Sequence, residues 1–186
     1  QQQTYEHFAE FVASSHADTL FSVDGTTIDH QLAALLTGPP LRTIAVAESC
    51  TGGLVAARLT ESPGASTYLR GGFVAYSNEA KVSLLAVPAA LLEEHGAVSE
   101  EVAVALAEGA RSALDAYVGV GVTGIAGPGG GTEDKPVGLV WCAVSLASGE
   151  LSVRKLQLPG SRQLIRDRTT TVVLHMTARL LREETE

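Results

Sequence analysis

The stretch RTIAVAESCTGGLVAARLT, residues 42–60, sets the pattern that the rest of the chain repeats. Its first part is a largely apolar run at residues 43–47, which predicts a buried strand. Its last part, residues 53–60, has the composition of a helix. Four polar side chains stand at the junction of the two, namely Glu48, Ser49, Cys50 and Thr51. A buried strand that passes directly into a helix is the repeating unit of an α/β protein.

The same alternation continues towards the C-terminus. Four further runs predict strands, at residues 73–76, 117–122, 137–146 and 151–158. Helical patterns stand before or after them, at residues 78–85, 88–94, 99–114 and 162–181. The tetrapeptide ASGE joins the last two strands and indicates a hairpin. We therefore expect an α/β fold: a three-layer α/β/α sandwich around a mostly parallel five-stranded sheet with one antiparallel strand.

The first forty residues have a different character. They predict helical and short apolar segments at residues 4–15, 20–23 and 26–36. The sequence TGPP at 37–40 then breaks the chain. We assign residues 1–40 to an N-terminal helical appendage or linker, and residues 41–186 to the core domain. Because the chain begins at Gln1 without a methionine, we expect a processed form or the tail of a longer protein.

The composition argues against several classes of function. The 186 residues include 13 Lys and Arg against 21 Asp and Glu, and this net charge of −8 argues against binding nucleic acid or an anionic membrane surface. No apolar run approaches the roughly 20 residues that span a bilayer. Cys50 and Cys142 have no CxxC partner, so we expect a reducing, cytoplasmic location. The five histidines show no metal-ligand spacing, and we expect neither a metal nor a cofactor.

Ligands of such sheets bind at the carboxyl ends of the strands, which directs attention to three loops. In the first loop, Ser49 would be an exposed nucleophile, and the backbone N–H groups of Thr51, Gly52 and Gly53 would face an anion or oxyanion. The competing interpretation, which the local sequence favours, is that Ser49 or Thr51 caps the following helix. Cys50 is a less favoured nucleophile, because a cysteine beside a strand end is more often a small buried residue.

The second loop follows the strand predicted at residues 73–76 and leads to Lys81. If Lys81 folds over the sheet end towards Ser49, partial desolvation lowers its pKa and lets it act as a base for the serine. Tyr76 would then relay a proton or orient the pair. The competing interpretation is a boundary tyrosine and a solvated lysine. The chain offers no obvious histidine for the task, which favours a Ser–Lys pair.

The third loop, TGIAGPGGGTEDKPVG at residues 123–138, contains six glycines in sixteen positions. It lacks both the G-K-[ST] ending of a P-loop and the dinucleotide fingerprint. Its backbone N–H groups can still approach a phosphate closely, and Thr123, Gly124 and Gly127 are its candidate contacts. A flexible connection before the hairpin is the alternative, and the two interpretations carry equal weight.

Two arginines, Arg162 and Arg166, stand four positions apart near the start of the last predicted helix. They share a helix face, and either or both would hold a phosphate or carboxylate. The alternative is ordinary surface pairing with acids such as Asp167.

Four motifs occur in a fixed order: AESCTGG, GFVAYSNEAK, HGAVSEEVA and TGIAGPGGGTEDKPVGLVW. In this order they resemble the CinA C-terminal domain, the family of nicotinamide-nucleotide amidohydrolases. The similarity covers about residues 41–181. The first forty residues resemble the connection between the two halves of full-length CinA, whose metal-dependent pyrophosphatase half is absent from this sequence.

The resemblance implies hydrolysis of the amide of nicotinamide mononucleotide (NMN) to nicotinic acid mononucleotide and ammonia. Ser49 matches the family's nucleophile, Lys81 its general base and Tyr76 a supporting residue. The family's link to competence and to the recombinase RecA keeps a second hypothesis open, a nucleotide-binding or protein-interaction domain without turnover. A third hypothesis is an amidase for another small amide. The long apolar last helix makes a homo-oligomer, a dimer, the expected assembly.

In the mechanism that fits these residues, neutral Lys81 takes the proton of Ser49, which attacks the carboxamide carbon. Backbone N–H groups of the turn at residues 50–53, or the hydroxyl of Thr51 or Thr123, would hold the oxyanion. The lysine or the tyrosine protonates the departing ammonia, and water hydrolyses the acyl-enzyme.

Overall fold

The structure is a computed structural model that describes residues 24–184 and, before them, residues 7, 8, 11, 15 and 22. The helix predicted at residues 4–15 and the segment predicted at 20–23 therefore lie mostly outside the described residues. No helix in the described part combines the length and the apolar character that crossing a membrane requires.

Five strands form one sheet in the order β2-β1-β3-β4-β5. Their bounds are β1 Ile44–Glu48, β2 Leu69–Val74, β3 Val118–Gly124, β4 Leu139–Leu146 and β5 Leu151–Gln157. β1 pairs in parallel with β2 and β3, whereas β4 runs antiparallel to both of its neighbours. The predicted mostly parallel sheet with one antiparallel strand is confirmed.

Helices cover both faces of this sheet. Numbered through residues 24–184, they are α1 Ile28–Thr37, α2 Leu54–Leu59, α3 Asn78–Leu85, α4 Ala89–His95, α5 Glu100–Ala113 and α6 Arg162–Glu183. The buried residues of α1, α2 and α6 share one core with the sheet, and those of α3, α4 and α5 share another. Two helical layers around one sheet confirm the predicted three-layer sandwich.

The helix α1 belongs to the segment that the sequence analysis assigns to an appendage or linker. Its Ile28, Leu32 and Leu36 are buried in the same core as β1 and α6. Their spacing of four residues places them on one face of the helix, so that α1 packs against α6 and contributes to this core instead of extending away from it.

Side chains along β1 alternate between the two faces of the sheet, as the strand period of two requires. Val46 lies in the core shared with α1, α2 and α6, and Ala47 lies in the core shared with α3, α4 and α5. The next two residues continue the alternation. Glu48 reaches the start of α2, whereas Ser49 lines a cavity together with Lys81 of α3.

Two glycines of β3 let α5 lie very close to the sheet. A Cβ atom at Gly119 would stand 2.1 Å from the carbonyl oxygen of Ala107, and one at Gly121 would stand 2.1 Å from that of Ala103. Any side chain at these positions would therefore collide with the helix backbone. The close approach also brings the loop before α5, residues 96–99, against the carboxyl end of β3.

The strand β2 differs from its prediction, because it begins at Leu69 and ends at Val74. The sequence pattern hides its first half, since Gly71 and Gly72 have no side chain to contribute to an alternation. A Cβ atom at Gly72 would stand 2.6 Å from Val46 Cγ2 of the neighbouring strand, which explains why a glycine occurs there. Tyr76 consequently lies in the following loop.

Candidate active site

A cavity of about 280 Å³ lies at the carboxyl ends of β1 and β3. Seven of the predicted site residues line it, namely Ser49, Tyr76, Lys81, Thr123, Gly124, Gly127 and Arg162. The other four, Thr51, Gly52, Gly53 and Arg166, are not among its lining residues. None of the described residues that line it is a histidine or a carboxylate.

Lys81 is the largest of the fully buried side chains, with only 1% of its surface exposed. Ser77 caps the start of α3 by accepting a hydrogen bond from the N–H of Ala80 at 3.1 Å. One turn later, Lys81 folds back over the end of β2, and its Nζ donates to the carbonyl oxygen of Ala75 at 3.0 Å. The carbonyl oxygens of Tyr76 and Ser77 lie at 3.4 Å.

Burial lowers the pKa of Lys81 below that of an exposed lysine, because the charged ammonium loses its solvation. The neutral amine has two N–H donors and one lone pair. Three backbone carbonyls surround the amine, enough to accept all three N–H groups of the ammonium, whereas the neutral amine would use two of them and keep its lone pair for a proton. Within residues 24–184 no hydrogen bond joins Lys81 Nζ to Ser49 Oγ, although both residues line the same cavity. Catalytic hydrogen bonds commonly tighten only when substrate binds.

Ser49 lies immediately after β1, beside the end of β3. Its N–H donates to the carbonyl oxygen of Val122 at 3.0 Å, and its own carbonyl accepts from the N–H of Gly52 at 3.1 Å. The chain thus turns sharply at the serine. The first residue beyond the turn is Gly53, which is the N-cap of α2 and has no side-chain capping bond. The interpretation that Ser49 or Thr51 caps this helix is therefore wrong.

The capping group is instead the carboxylate of Glu48, which is 1% exposed. Its Oε2 accepts from the N–H groups of Gly53 at 2.9 Å and Val55 at 3.1 Å, and its Oε1 accepts from that of Ala56 at 2.8 Å. A buried carboxylate at a helix N-terminus satisfies the free N–H groups and the positive end of the helix dipole. The local sequence pattern does not indicate this role for Glu48.

Glu48 restricts where an oxyanion can bind. Its carboxylate accepts a hydrogen bond from the N–H of Gly53, and the carbonyl of Ser49 accepts one from the N–H of Gly52. Neither glycine therefore presents a free N–H to a ligand, in contrast to the prediction. In the described part of the chain, the N–H groups of Cys50 and Thr51 donate to no other group. Both amides follow the serine in the chain, and of these two residues only Cys50 lines the cavity.

Cys50 is 5% exposed, and burial raises the pKa of its thiol to about 12, with the nearby Glu48 charge adding to the effect. A cysteine nucleophile reacts as the thiolate. At neutral pH this thiol stays protonated, so the geometry favours Ser49 over Cys50 as the nucleophile.

The two threonine hydroxyls are poor candidates for the oxyanion site. Thr123 Oγ1 donates its proton to the carbonyl oxygen of Ala97 at 2.6 Å. Thr51 is fully buried, and its Oγ1 has no hydrogen-bond partner among the described residues and does not line the cavity. The backbone amides are then the remaining donors of the first loop.

The two candidate arginines of α6, Arg162 and Arg166, make different contacts. Arg162 reaches across the mouth of the cavity and donates to the carbonyl oxygen of Gly127 at 3.0 Å and to the Tyr76 hydroxyl at 2.8 Å. Arg166 donates twice to the carbonyl oxygen of Thr51, at 2.8 and 3.3 Å. Arg166 therefore supports the first loop, and of the two arginines only Arg162 lines the cavity.

The cavity also contains residues that the sequence analysis did not select. Asn78, the first residue of α3, lines the cavity, as do Ala97 and Val98 of the loop before α5. In the sequence, Asn78 lies between the candidate residues Tyr76 and Lys81, and this position was the only indication that it belongs to the site. Within the part of the chain that is described, no group of three or more His, Cys, Asp or Glu residues is placed to hold a metal.

Comparison with known proteins shows a consistent relationship. The model of the CinA C-terminal domain matches residues 26–181. A CinA-like protein of Mycobacterium avium is 53% identical over 181 residues, and one of Mycobacterium tuberculosis is 51% identical over 179 residues. These alignments cover 95% and 96% of this chain but 41% of each relative. The chain thus spans less than half the length of the curated relatives it matches.

Solved structures agree with the sequence relatives. The competence/damage inducible protein CihA from Agrobacterium tumefaciens superposes with a TM-score of 0.79 at 38% identity, over 87% of this chain and 98% of that one. A competence-damaged protein (CinA) superfamily protein from Escherichia coli superposes with a TM-score of 0.76 at 31% identity, over 84% and 92% of the two chains. The similarity therefore extends over nearly all of each of these solved chains.

Proposed function

This chain belongs to the CinA C-terminal domain family, and from that premise we propose that it hydrolyses the carboxamide of NMN to nicotinic acid mononucleotide and ammonia. The reaction would recycle a pyridine nucleotide. The names of the similar solved structures mention competence and damage but no reaction. The proposal therefore depends on the chemistry of the cavity.

The observation that carries the proposal is the composition of that cavity. It holds a serine at a sharp turn after a strand and a buried lysine, and the described lining residues include no histidine or carboxylate that would act as a base instead. A buried lysine with a lowered pKa is a known type of base for a serine nucleophile. This combination supports acyl transfer from a small amide.

The proposed reaction begins when neutral Lys81 takes the proton of Ser49 and Oγ attacks the carboxamide carbon. The N–H group of Cys50, which directly follows the serine and lines the cavity, holds the negative oxygen of the tetrahedral intermediate. The ammonium of Lys81 then returns the proton to the substrate nitrogen, and ammonia leaves. Water attacks the acyl-enzyme with Lys81 again as the base, and Ser49 is released together with the acid product.

The 5′-phosphate of the substrate would bind at the mouth of the cavity. Arg162 stands there, exposed, and its two hydrogen bonds to Gly127 and Tyr76 hold the guanidinium beside the glycine-rich loop. Gly129 and Gly130 line the same side, where backbone amides can approach an anion without a Cβ atom in the way. Arg162 supplies the positive charge that such a ligand needs.

Ammonia release tests the proposal directly. Incubation of the purified chain with NMN is expected to release one ammonia for each nicotinic acid mononucleotide formed. Nicotinamide and its riboside, which lack the phosphate, are the matched comparison and should react with much lower kcat/KM. If NMN raises the melting temperature while no ammonia appears, the chain is instead a nucleotide-binding domain without turnover.

Replacement of Arg162 with methionine should raise the KM for NMN by about 10- to 100-fold, the usual loss for a charged hydrogen bond to phosphate. The kcat should change little, because the phosphate is remote from the reacting carbon. Steady-state kinetics of the variant and of Arg168→Met, an exposed arginine on the same helix, provide the comparison. An unchanged KM in Arg162→Met would place the phosphate elsewhere.

A further inference from the structure

The hydroxyl of Thr123 has an unusual position in the cavity. β1 and β3 pair in parallel with Glu48 opposite Val122. The next residues along the two chains, Ser49 and Thr123 respectively, therefore lie side by side at the edge of the sheet. Both residues line the cavity, and Thr123 is 1% exposed. A carboxamide carbon within reach of Ser49 would therefore have one of its two heteroatoms next to Thr123.

The direction of one hydrogen bond decides what Thr123 can bind. A carbonyl oxygen only accepts, so the 2.6 Å contact to Ala97 requires the threonine to donate its single proton there. The oxygen of Thr123 then presents only lone pairs to a ligand. The neighbouring Gly96 is itself fixed, because its N–H donates to the carbonyl of Leu92 at 3.0 Å and its carbonyl accepts from Ser99 Oγ at 3.2 Å. The hydroxyl proton of Thr123 is therefore held by the Ala97 carbonyl and points away from the ligand.

We propose that Thr123 is a specificity-determining residue that accepts a hydrogen bond from the NH₂ group of the substrate carboxamide, and so distinguishes the amide from the acid. The inference rests on the proposed function and deepens it. It orients the amide with nitrogen towards Thr123 and oxygen towards the N–H group of Cys50. The amide oxygen is thereby placed where negative charge develops during the attack.

The same arrangement favours release of the product. Hydrolysis replaces the NH₂ donor by a carboxylate oxygen, which has no proton to donate and carries negative charge. Two acceptors then face each other in a buried site, which is unfavourable because neither finds a partner. A site built to pair with a donor rejects the analogue that lacks it.

Binding measurements in a background without turnover test this inference. In Ser49→Ala, calorimetry is expected to give NMN about a 10-fold lower Kd than nicotinic acid mononucleotide, the effect of one hydrogen bond in a buried site. Adding Thr123→Val, which has nearly the same shape and no oxygen, should bring the ratio of the two constants close to one. Adding Thr123→Ser, which keeps the hydroxyl, should preserve the ratio. Thr123→Ala provides a second removal of the oxygen if the valine variant does not fold.

The ratio separates a specific role from a structural one. If the valine or alanine variant weakens both nucleotides equally, Thr123 only supports the fold and the inference is overturned. The inference is also overturned if Ser49→Ala alone binds NMN no more tightly than nicotinic acid mononucleotide, or if it binds neither nucleotide. Failure of the proposed function is a separate result, because it appears as absence of ammonia release by the unmodified chain, whereas the ratio is measured without turnover.

Discussion

Replacement of Ser49 with alanine is expected to lower kcat for NMN hydrolysis by about 10⁴-fold or more, because the variant lacks the hydroxyl oxygen that forms the acyl-enzyme. The fold should persist, since Ser49 connects to its surroundings through its backbone N–H and carbonyl, which alanine retains. Ammonia release, with circular dichroism as a check on folding, measures both effects.

The matched control for this experiment is Cys50→Ala. Cys50 is the adjacent residue and the competing nucleophile, but its thiol is buried and protonated at neutral pH. The variant should keep its activity to within about 10-fold, because deletion of one buried sulfur disturbs packing only modestly. If Cys50→Ala loses the activity and Ser49→Ala keeps it, the nucleophile is the cysteine.

Replacement of Lys81 should lower kcat/KM by about 10²- to 10⁴-fold, the usual contribution of a general base. Lys81→Met retains the length of the side chain and the apolar packing. Lys81→Arg retains the charge, but a guanidinium does not lose its proton in the working pH range, so arginine should not rescue the activity. Rescue by arginine would show that the positive charge matters and that proton transfer does not.

The pH dependence of the unmodified chain provides an independent measure of Lys81. The base must be neutral, so kcat/KM should rise with pH as the amine loses its proton. Because burial lowers the pKa of Lys81, the midpoint of this rise should lie below the value of about 10.4 for an exposed lysine. Lys155→Met, which removes an exposed lysine, should leave the profile unchanged.

Much of the fold follows from local pattern. The helix at Asn78–Leu85 and the start of α5 after Ser99 were predicted to the residue, and both helices begin after a capping serine. The strand β2 was harder to predict. Its glycines are required by contacts with a neighbouring strand, and such contacts leave no period in the sequence.

In the candidate site, too, some residues were predictable from local pattern and others depend on contacts between distant parts of the chain. The sequence placed Ser49 and Lys81 in loops that meet at one edge of the sheet, and the structure brings both to one cavity. It could not distinguish Arg162 from Arg166, because residues four apart on a helix share a face. Their separation depends on where the neighbouring carbonyls of Gly127 and Thr51 lie.

The sequence by itself determined the α/β class, the family and most of the candidate site residues, since these depend on local periodicity and on motifs. Only the tertiary structure decided which group does what in AESCTGG. Local rules favoured a serine or threonine cap, yet strand alternation sends Glu48 to the helix and leaves Ser49 on the opposite face with the buried lysine. Likewise, the carbonyl of Ala97 fixes the direction of the Thr123 proton. Hydrogen-bond direction and burial depend on distant neighbours, and so they appear only after the chain has folded.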